Sequence, residues 1–161
     1  MGILAFLASI QAMVRGDRTC EKSMPAKDLF HDAVKQALLK EQWVITADPL
    51  TIKIEGVKFE IDLAAEKIFA AEKAGRKIAV EVKSFLSNSA IADFHLALGE
   101  FLNYRLALQM KEHDRTLYLA VPFDTFAFFF QERFVQEAVK LYQLKLVVYD
   151  PKKEVVVEWK D

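Results

Sequence analysis

Apolar residues recur at helical spacing across 27–41, where Phe30, Val34, Ala37 and Leu38 share a stripe with Glu41 while Asp32, Lys35 and Leu39 lie elsewhere around the wheel. An amphipathic helix is predicted there. Trp43-Val44-Ile45-Thr46 has the length of a short strand and is stopped by Asp48-Pro49. Thr51 to Ile54 and Val57 to Leu63 flank Glu55-Gly56, which reads as the tight turn of a hairpin. The second of these runs alternates, with Phe59, Ile61 and Leu63 on one side and Glu60, Asp62 and Ala64 on the other. A charged, Ala-rich connection of a helical turn or two is expected from Glu66 to Gly75, followed by a strand from Lys77 to Lys83.

Ser87-Asn88-Ser89 supplies capping residues for a long helix over 91–110, with Phe94, Leu98, Phe101, Leu102 and Leu108 as its apolar contacts. The unbroken apolar run Thr116 to Val121 fits the centre of a sheet covered on both faces and ends at Pro122. A Phe-rich helix over 123–142 and strands over 144–149 and 154–159 complete the pattern. Strands joined by hairpin-like links, mixed with helical crossovers, predict an α/β fold with a mixed sheet flanked by helices.

Periodicity becomes regular at Met24, so residues 24–161 read as one domain and residues 1–23 as an appended extension, translated from an upstream start. The apolar run from Gly2 to Ile10 has no Lys or Arg before it and is too short to span a membrane, which argues against a signal peptide or an anchor. A chain of 161 residues with 53% hydrophobic and 28% charged content is an ordinary globular protein. Its net charge of −1 supplies no global basic field, so a nucleic acid must be met by a local patch or with a second protein. The single cysteine, Cys20, forms no internal disulfide and fits a reducing cytoplasm.

The chemistry lies in Ile78-Ala79-Val80-Glu81-Val82-Lys83-Ser84. Alternation puts Ile78, Val80 and Val82 on one face and Glu81 and Lys83 on the other. The preceding strand sends Glu60 and Asp62 to a single face, so if the two strands are neighbours, Asp62, Glu81 and Lys83 converge. Two close carboxylates repel, and burial sharpens the repulsion, unless a cation offsets it. Oxygen ligands favour Mg²⁺ or Mn²⁺ over Zn²⁺ and leave Lys83 to act on a water or a phosphate oxygen. The alternative is a cross-strand salt-bridge network on an exposed sheet face.

Asp62 followed 19 residues later by Glu81-Val82-Lys83 resembles the D…E-x-K motif of the PD-(D/E)XK, or restriction-endonuclease-like, superfamily. The resemblance implies a restriction-endonuclease-like mixed sheet flanked by helices. It also implies Mg²⁺ held by Asp62, Glu81 and the backbone carbonyl of Val82, and Lys83 orienting or activating the attacking water. Glu100 and Tyr104 stand where many of its nucleases carry a Gln-x-x-x-Tyr pair, one helical turn apart. Glu100 departs from that pattern, which has Gln there, and a carboxylate at this position repels phosphate and counts against a DNA contact.

Over residues 24–161 the chain is further similar to the cyanobacterial XisH family. The stretches that carry this are Met24 to Asp28, Thr46 to Thr51, Ala65 to Lys67, Ile78 to Phe85, Ala97 to Leu108 and Leu117 to Pro122. That family is named for fdxN element excision controlling factors. They act with XisI and a site-specific recombinase in removing a DNA element from the heterocyst genome. The resemblance implies DNA, an XisI-type protein and a recombinase as partners. It leaves open whether the nuclease-like site still cuts or whether the fold serves as a noncatalytic regulator.

Accessory candidates are Glu60, Glu66, which joins the site edge if its strand persists that far, and His31. A lone helical His such as His31 or His95 is more often a packing or surface residue, and His113 reads as a solvated loop position. Lys53, Lys58, Arg76, Lys77 and Arg105 form a candidate phosphate patch, against the ordinary reading of scattered solvating charges. The Phe126 to Phe130 run, with Phe134, reads as core with a contact margin for a partner or a second copy.

Overall fold

The computed structural model describes residues 25–67 and 75–161. The expected extension over residues 1–23 and most of the expected Ala-rich connection lie outside them. Helix α1 (Ala26–Lys40) buries Phe30, Ala33, Val34, Ala37 and Leu38, the stripe its periodicity predicts. Strands β1 (Val44–Ala47), β4 (Leu63–Lys67), β5 (Arg76–Val82), β6 (Arg115–Pro122), β7 (Leu146–Asp150) and β8 (Val155–Lys160) form one six-stranded sheet in the order β1-β4-β5-β6-β7-β8. Strands β2 (Leu50–Ile54) and β3 (Val57–Ile61) form a separate hairpin across Glu55-Gly56, both of which take the positive φ that such a turn requires.

Among the described residues, parallel pairing occurs only at the centre, between β5 and β6 and between β6 and β7. Each of these pairs needs a crossover. The first is α2 (Ala90–Lys111), whose start is capped by the Ser89 side chain accepting from the Ala92 N–H. The second comprises α3 (Phe123–Phe128), a 3₁₀ turn (Phe129–Gln131) and α4 (Arg133–Leu141). The β4–β5 and β7–β8 pairs are antiparallel, giving the mixed α/β sheet the sequence predicts.

Alternation along the strands divides the core in two. Leu63, Ala65, Ile78, Val80, Val82, Tyr118, Ala120, Val147 and Tyr149 pack with α1, Trp43 and Trp159. Ala64, Ala79, Leu117, Leu119, Val121 and Leu146 pack with Phe94, Ala97, Phe101 and Leu108 of α2 and with Val135 and Ala138 of α4. The central strands are therefore buried on both faces, so the Glu81 side of β5 is not an exposed sheet face.

Three expectations are corrected. The run Val57 to Leu63 is not one strand, because the chain bends at Asp62 between β3 and β4. Ile61 belongs to the α2-side core and Leu63 to the α1-side core, a division that one continuous alternation cannot satisfy. The helix expected over 123–142 breaks at Glu132, whose backbone is extended, as Phe126, Phe129 and Phe130 turn together toward the α2-side core. Glu66 and Lys67 prolong β4 instead of opening a helical connection.

Phe94→Ala, which empties the fully buried Phe94 position on the inner face of α2, is expected to cost about 3–5 kcal/mol, whereas Ser89→Ala, which removes only the cap of α2, costs about 1 kcal/mol. Urea denaturation of both variants checks the ranking, with midpoints moving at constant slope.

Candidate functional site

The C-terminal end of β5 is where the polar side chains meet. Glu81 sits opposite Leu119 of β6 and is 5% exposed, on the side covered by α2. Lys83 lies one residue beyond the strand, with its backbone N–H donating to the Ala120 carbonyl at 3.2 Å. Its ammonium is 3.3 Å from Glu81 Oε1 and closes on Glu100 Oε2 of α2. Asp62, at the bend between β3 and β4, accepts the Val82 N–H through Oδ2 at 2.8 Å. This bond brings a residue from outside the strand to the end of β5.

Glu81 Oε2 is buried with no hydrogen-bond partner among the described residues. Burial foremost, then the charge of Asp62, and also that of Glu100, push its carboxyl up to about 8, against the opposing pull of Lys83. Burial lowers Lys83, but the Glu100 hydrogen bond and the charge of Glu81 outweigh it and hold the ammonium above its ordinary range. Tyr104, half-buried one turn after Glu100 and edge-on to Phe59 at 6.4 Å between ring centroids, is pushed up by burial and by the charges of Glu81, Glu100 and Asp62.

On the other side of Asp62 lies α1. His31 Nε2 is 2.7 Å from Asp48 Oδ1, and His31 Nδ1 is 4.0 Å from Asp62 Oδ1. Lys35, one turn along α1, donates to Asp48 Oδ2 at 2.7 Å. Burial works against the Asp48 charge, but Lys35 and His31 outweigh it and hold its carboxyl below the usual range. A cleft of about 330 Å³ opens here, lined by Lys27, His31, Asp62, Lys83, Ser84 and Ser87 among others. Its wall after β5 turns on Phe85, a buried residue held at φ 53° by ring contacts to Phe129 and Phe130 at 6.2 and 5.6 Å.

The XisH protein family matches residues 24–157. The chain belongs to the XisH family. It is similar to the crystal structure of an XisH family protein from Nostoc punctiforme PCC 73102, with 49% identity, a TM-score of 0.76, and coverage of 83% of this chain and all of that one. It is also similar to a fdxN element excision controlling factor protein from Anabaena variabilis, with 51% identity, a TM-score of 0.75, and coverage of 83% of this chain and 99% of the other. No curated protein matches.

In this XisH-family chain the expected trio Asp62, Glu81 and Lys83 does come together, and Glu100 and Tyr104 join it from α2. Two accessory candidates do not. Glu60 lies on the exposed hairpin paired with Lys58 at 2.5 Å. Glu66 sits near the far end of β4, 3.3 Å from Arg115 and opposite Lys77, because β4 runs antiparallel to β5 and only its Leu63 end reaches the site. Four of the five candidates for a phosphate patch are engaged, Lys58 with Glu60. Arg76 donates to the Tyr118 hydroxyl, Lys77 pairs with Asp114, and Arg105 donates to the carbonyls of Tyr142 and Gln143. His95 and His113 are exposed. Asp48 and Lys35 were not singled out as candidates. The signal for them was present, since His31 and Lys35 are one helical turn apart and Asp48 ends the next strand.

Among the described residues no three Asp, Glu, His or Cys side chains form a ready-made metal cage. What the site offers a cation is carboxylate oxygen: Asp62 Oδ1 and the unpartnered Glu81 Oε2. This donor set fits a hard divalent ion with water or substrate completing its shell.

Because the folded chain raises the Glu81 carboxyl to about 8 from the ordinary 4.5, it retains a proton that the unfolded chain releases. This contribution to stability is present at low pH and is lost as pH rises toward 8. Glu81→Gln is expected to flatten that fall and to be more stable than wild type at pH 8 to 9 by an amount on the order of a few kcal/mol. Denaturation midpoints across pH 5 to 9 measure it.

Proposed function

We propose that this XisH-family protein controls site-specific DNA excision. In this reading Asp62, Glu81 and Lys83 form a divalent-cation-dependent, phosphodiester-cleaving site of the restriction-endonuclease-like PD-(D/E)XK kind. The observation that carries it is Glu81, a buried carboxylate with an unpartnered oxygen beside a second carboxylate and an ammonium. Such a group costs stability until a proton or a bound cation offsets it, and groups of this kind cluster at functional sites. The name of the Anabaena variabilis relative supports the excision role.

In this reading Asp62 and Glu81, with the Val82 carbonyl, hold Mg²⁺ or Mn²⁺, which when bound polarises the phosphate and favours an attacking hydroxide. The Val82 N–H holds Asp62 in place. Lys83, kept charged, attracts the scissile phosphate and orients the water. An incoming phosphate competes with Glu100 for the ammonium, so Glu100 sets how readily Lys83 is released. The protein acts in the cytoplasm, with an XisI-type protein and a recombinase.

Calorimetric titration with Mg²⁺ and Mn²⁺, alongside a panel of single-stranded, duplex and branched DNA, tests this reading. Asp62→Asn and Glu81→Gln are expected to weaken cation binding by tenfold or more. Lys83→Ala is expected to keep cation binding and lose cleavage by about 10²-fold. Absence of both cation binding and cleavage in the wild type overturns the catalytic reading.

A second reading, a noncatalytic regulator that binds an XisI-type protein or recombinase, is favoured by the exposed Phe128, Phe134 and Leu141, which are 47%, 68% and 74% exposed on and beside α4. In that case Lys83→Ala leaves excision intact, while Phe134→Ser with Leu141→Ser abolishes partner capture in a pull-down and stops excision.

A further inference from the structure

Helix α2 is apolar on two sides. Phe94, Ala97, Phe101, Ala107 and Leu108 enter the core, yet Leu96, Leu106 and Met110 are 60%, 57% and 58% exposed. These three share one line with Ala92, Gly99 and Asn103, at positions alternately four and three residues apart, and all six are exposed. At about 100° per residue the six lie within roughly 40° of a common line, and none is charged. That spacing is the seam of a coiled coil, with Ala92, Gly99 and Leu106 at d and Leu96, Asn103 and Met110 at a. A helix apolar on both sides is ordinarily covered on both.

Two features say what covers the outer line. Glycine weakens a helix interior, and among the described residues a Cβ at Gly99 would meet nothing within 4 Å. Packing inside the chain gives no reason for the missing side chain, whereas the close approach of a second helix does. The line also mirrors itself about position 101: Gly99 and Asn103, Leu96 and Leu106, and Ala92 and Met110 lie at equal distances on either side. Two antiparallel copies related by a two-fold axis beside that position set Leu96 against Leu106 and seat Asn103 of each copy over Gly99 of the other. Charge follows the same symmetry. Asp93 in the first turn and Lys111 in the last are about five turns apart on one flank, so the acid of each copy lies alongside the base of the other and the helix dipoles oppose. Glu100, the acid nearest the axis, is turned onto Lys83.

We propose that a second copy of this chain covers the outer face of α2, through an antiparallel helix pair on a two-fold axis beside Phe101. The inference is independent of any cation chemistry at Asp62 and Glu81. A foreign helix would use the apolar residues but has no need of their mirror arrangement, which a two-fold pair exploits. Because Glu100 stands one residue from the axis, the pairing sets the two Glu100–Lys83 contacts on opposite sides of one seam, so the assembly carries its two candidate sites as neighbours.

Sedimentation velocity of the full chain at a concentration on the order of 100 μM is expected to show a dimer. Gly99→Lys removes a helix-weakening glycine and sets a charge in the seam, so it is expected to keep the circular dichroism of wild type while weakening association by about tenfold or more. The geometry is read in a Cys20→Ser background with Leu96→Cys and Leu106→Cys proteins, each alone and in equal mixture, treated with a short bismaleimide. Cross-linked dimer is expected from the mixture and from neither protein alone. Self-cross-linking of Leu96→Cys, as a parallel pair gives, overturns the inference. A monomeric wild type does so too and leaves the face to residues 1–23 or to a different protein. A dimer that Gly99→Lys leaves intact places the contact elsewhere and equally sinks it.

Discussion

The hydrogen bond from the Val82 N–H to Asp62 Oδ2, 2.8 Å long, is the constraint on which the rest of the site depends. Asp62 occupies the bend where the chain leaves the β2–β3 hairpin and enters the central sheet as β4. Without that bond nothing would fix its carboxylate against the end of β5. With it, one oxygen is engaged and the other is turned into the cleft. The bend itself follows from the two-sided core: Ile61 must reach the α2 layer and Leu63 the α1 layer, so the residue between them is left at the sheet margin. A polar residue there is thus a consequence of packing as well as an opportunity for chemistry.

Burial of Glu81 follows from the same architecture. Strand β5 is central, paired antiparallel to β4 and parallel to β6, with helices on both faces. A carboxylate on such a strand loses most of its water, and Lys83 offsets only part of that loss because the ammonium also serves Glu100. The cluster therefore carries unresolved electrostatic tension, in which Glu81 and Glu100 share one ammonium while the charge of Asp62 repels Glu81. Relief comes from a proton on Glu81 or from an added positive charge, and the first couples the cluster to pH.

The two sides of Asp62 differ in character. Toward α2 the neighbours are carboxylates, an ammonium and a phenol in a confined space. Toward α1 they are His31, Asp48 and Lys35, a chain of well-formed contacts at the mouth of a cleft. Helix α1 thus contributes more than a cover for the sheet, since its buried stripe places His31 on the stripe's border, within reach of the sheet end.

Much of this was legible in the chain. The helical stripe of α1, the Glu55-Gly56 hairpin, the cap before α2 and the apolar run of β6 each express a local rule, so their positions emerge within a residue or two. Asp62, Glu81 and Lys83 could be named because alternation and spacing alone put them on compatible faces. Glu66 could not be excluded and Asp48 was not found, since both outcomes depend on which end of a strand meets which helix. Likewise, the same Phe-rich stretch reads as one helix by composition, yet breaks at Glu132 because three rings must enter the core together. Local periodicity and turn chemistry are properties of neighbouring residues and are written in the sequence. Strand order, the direction of β4 and the burial of Glu81 are properties of residues brought together from far apart, and only the folded sheet, covered on both faces, decided them.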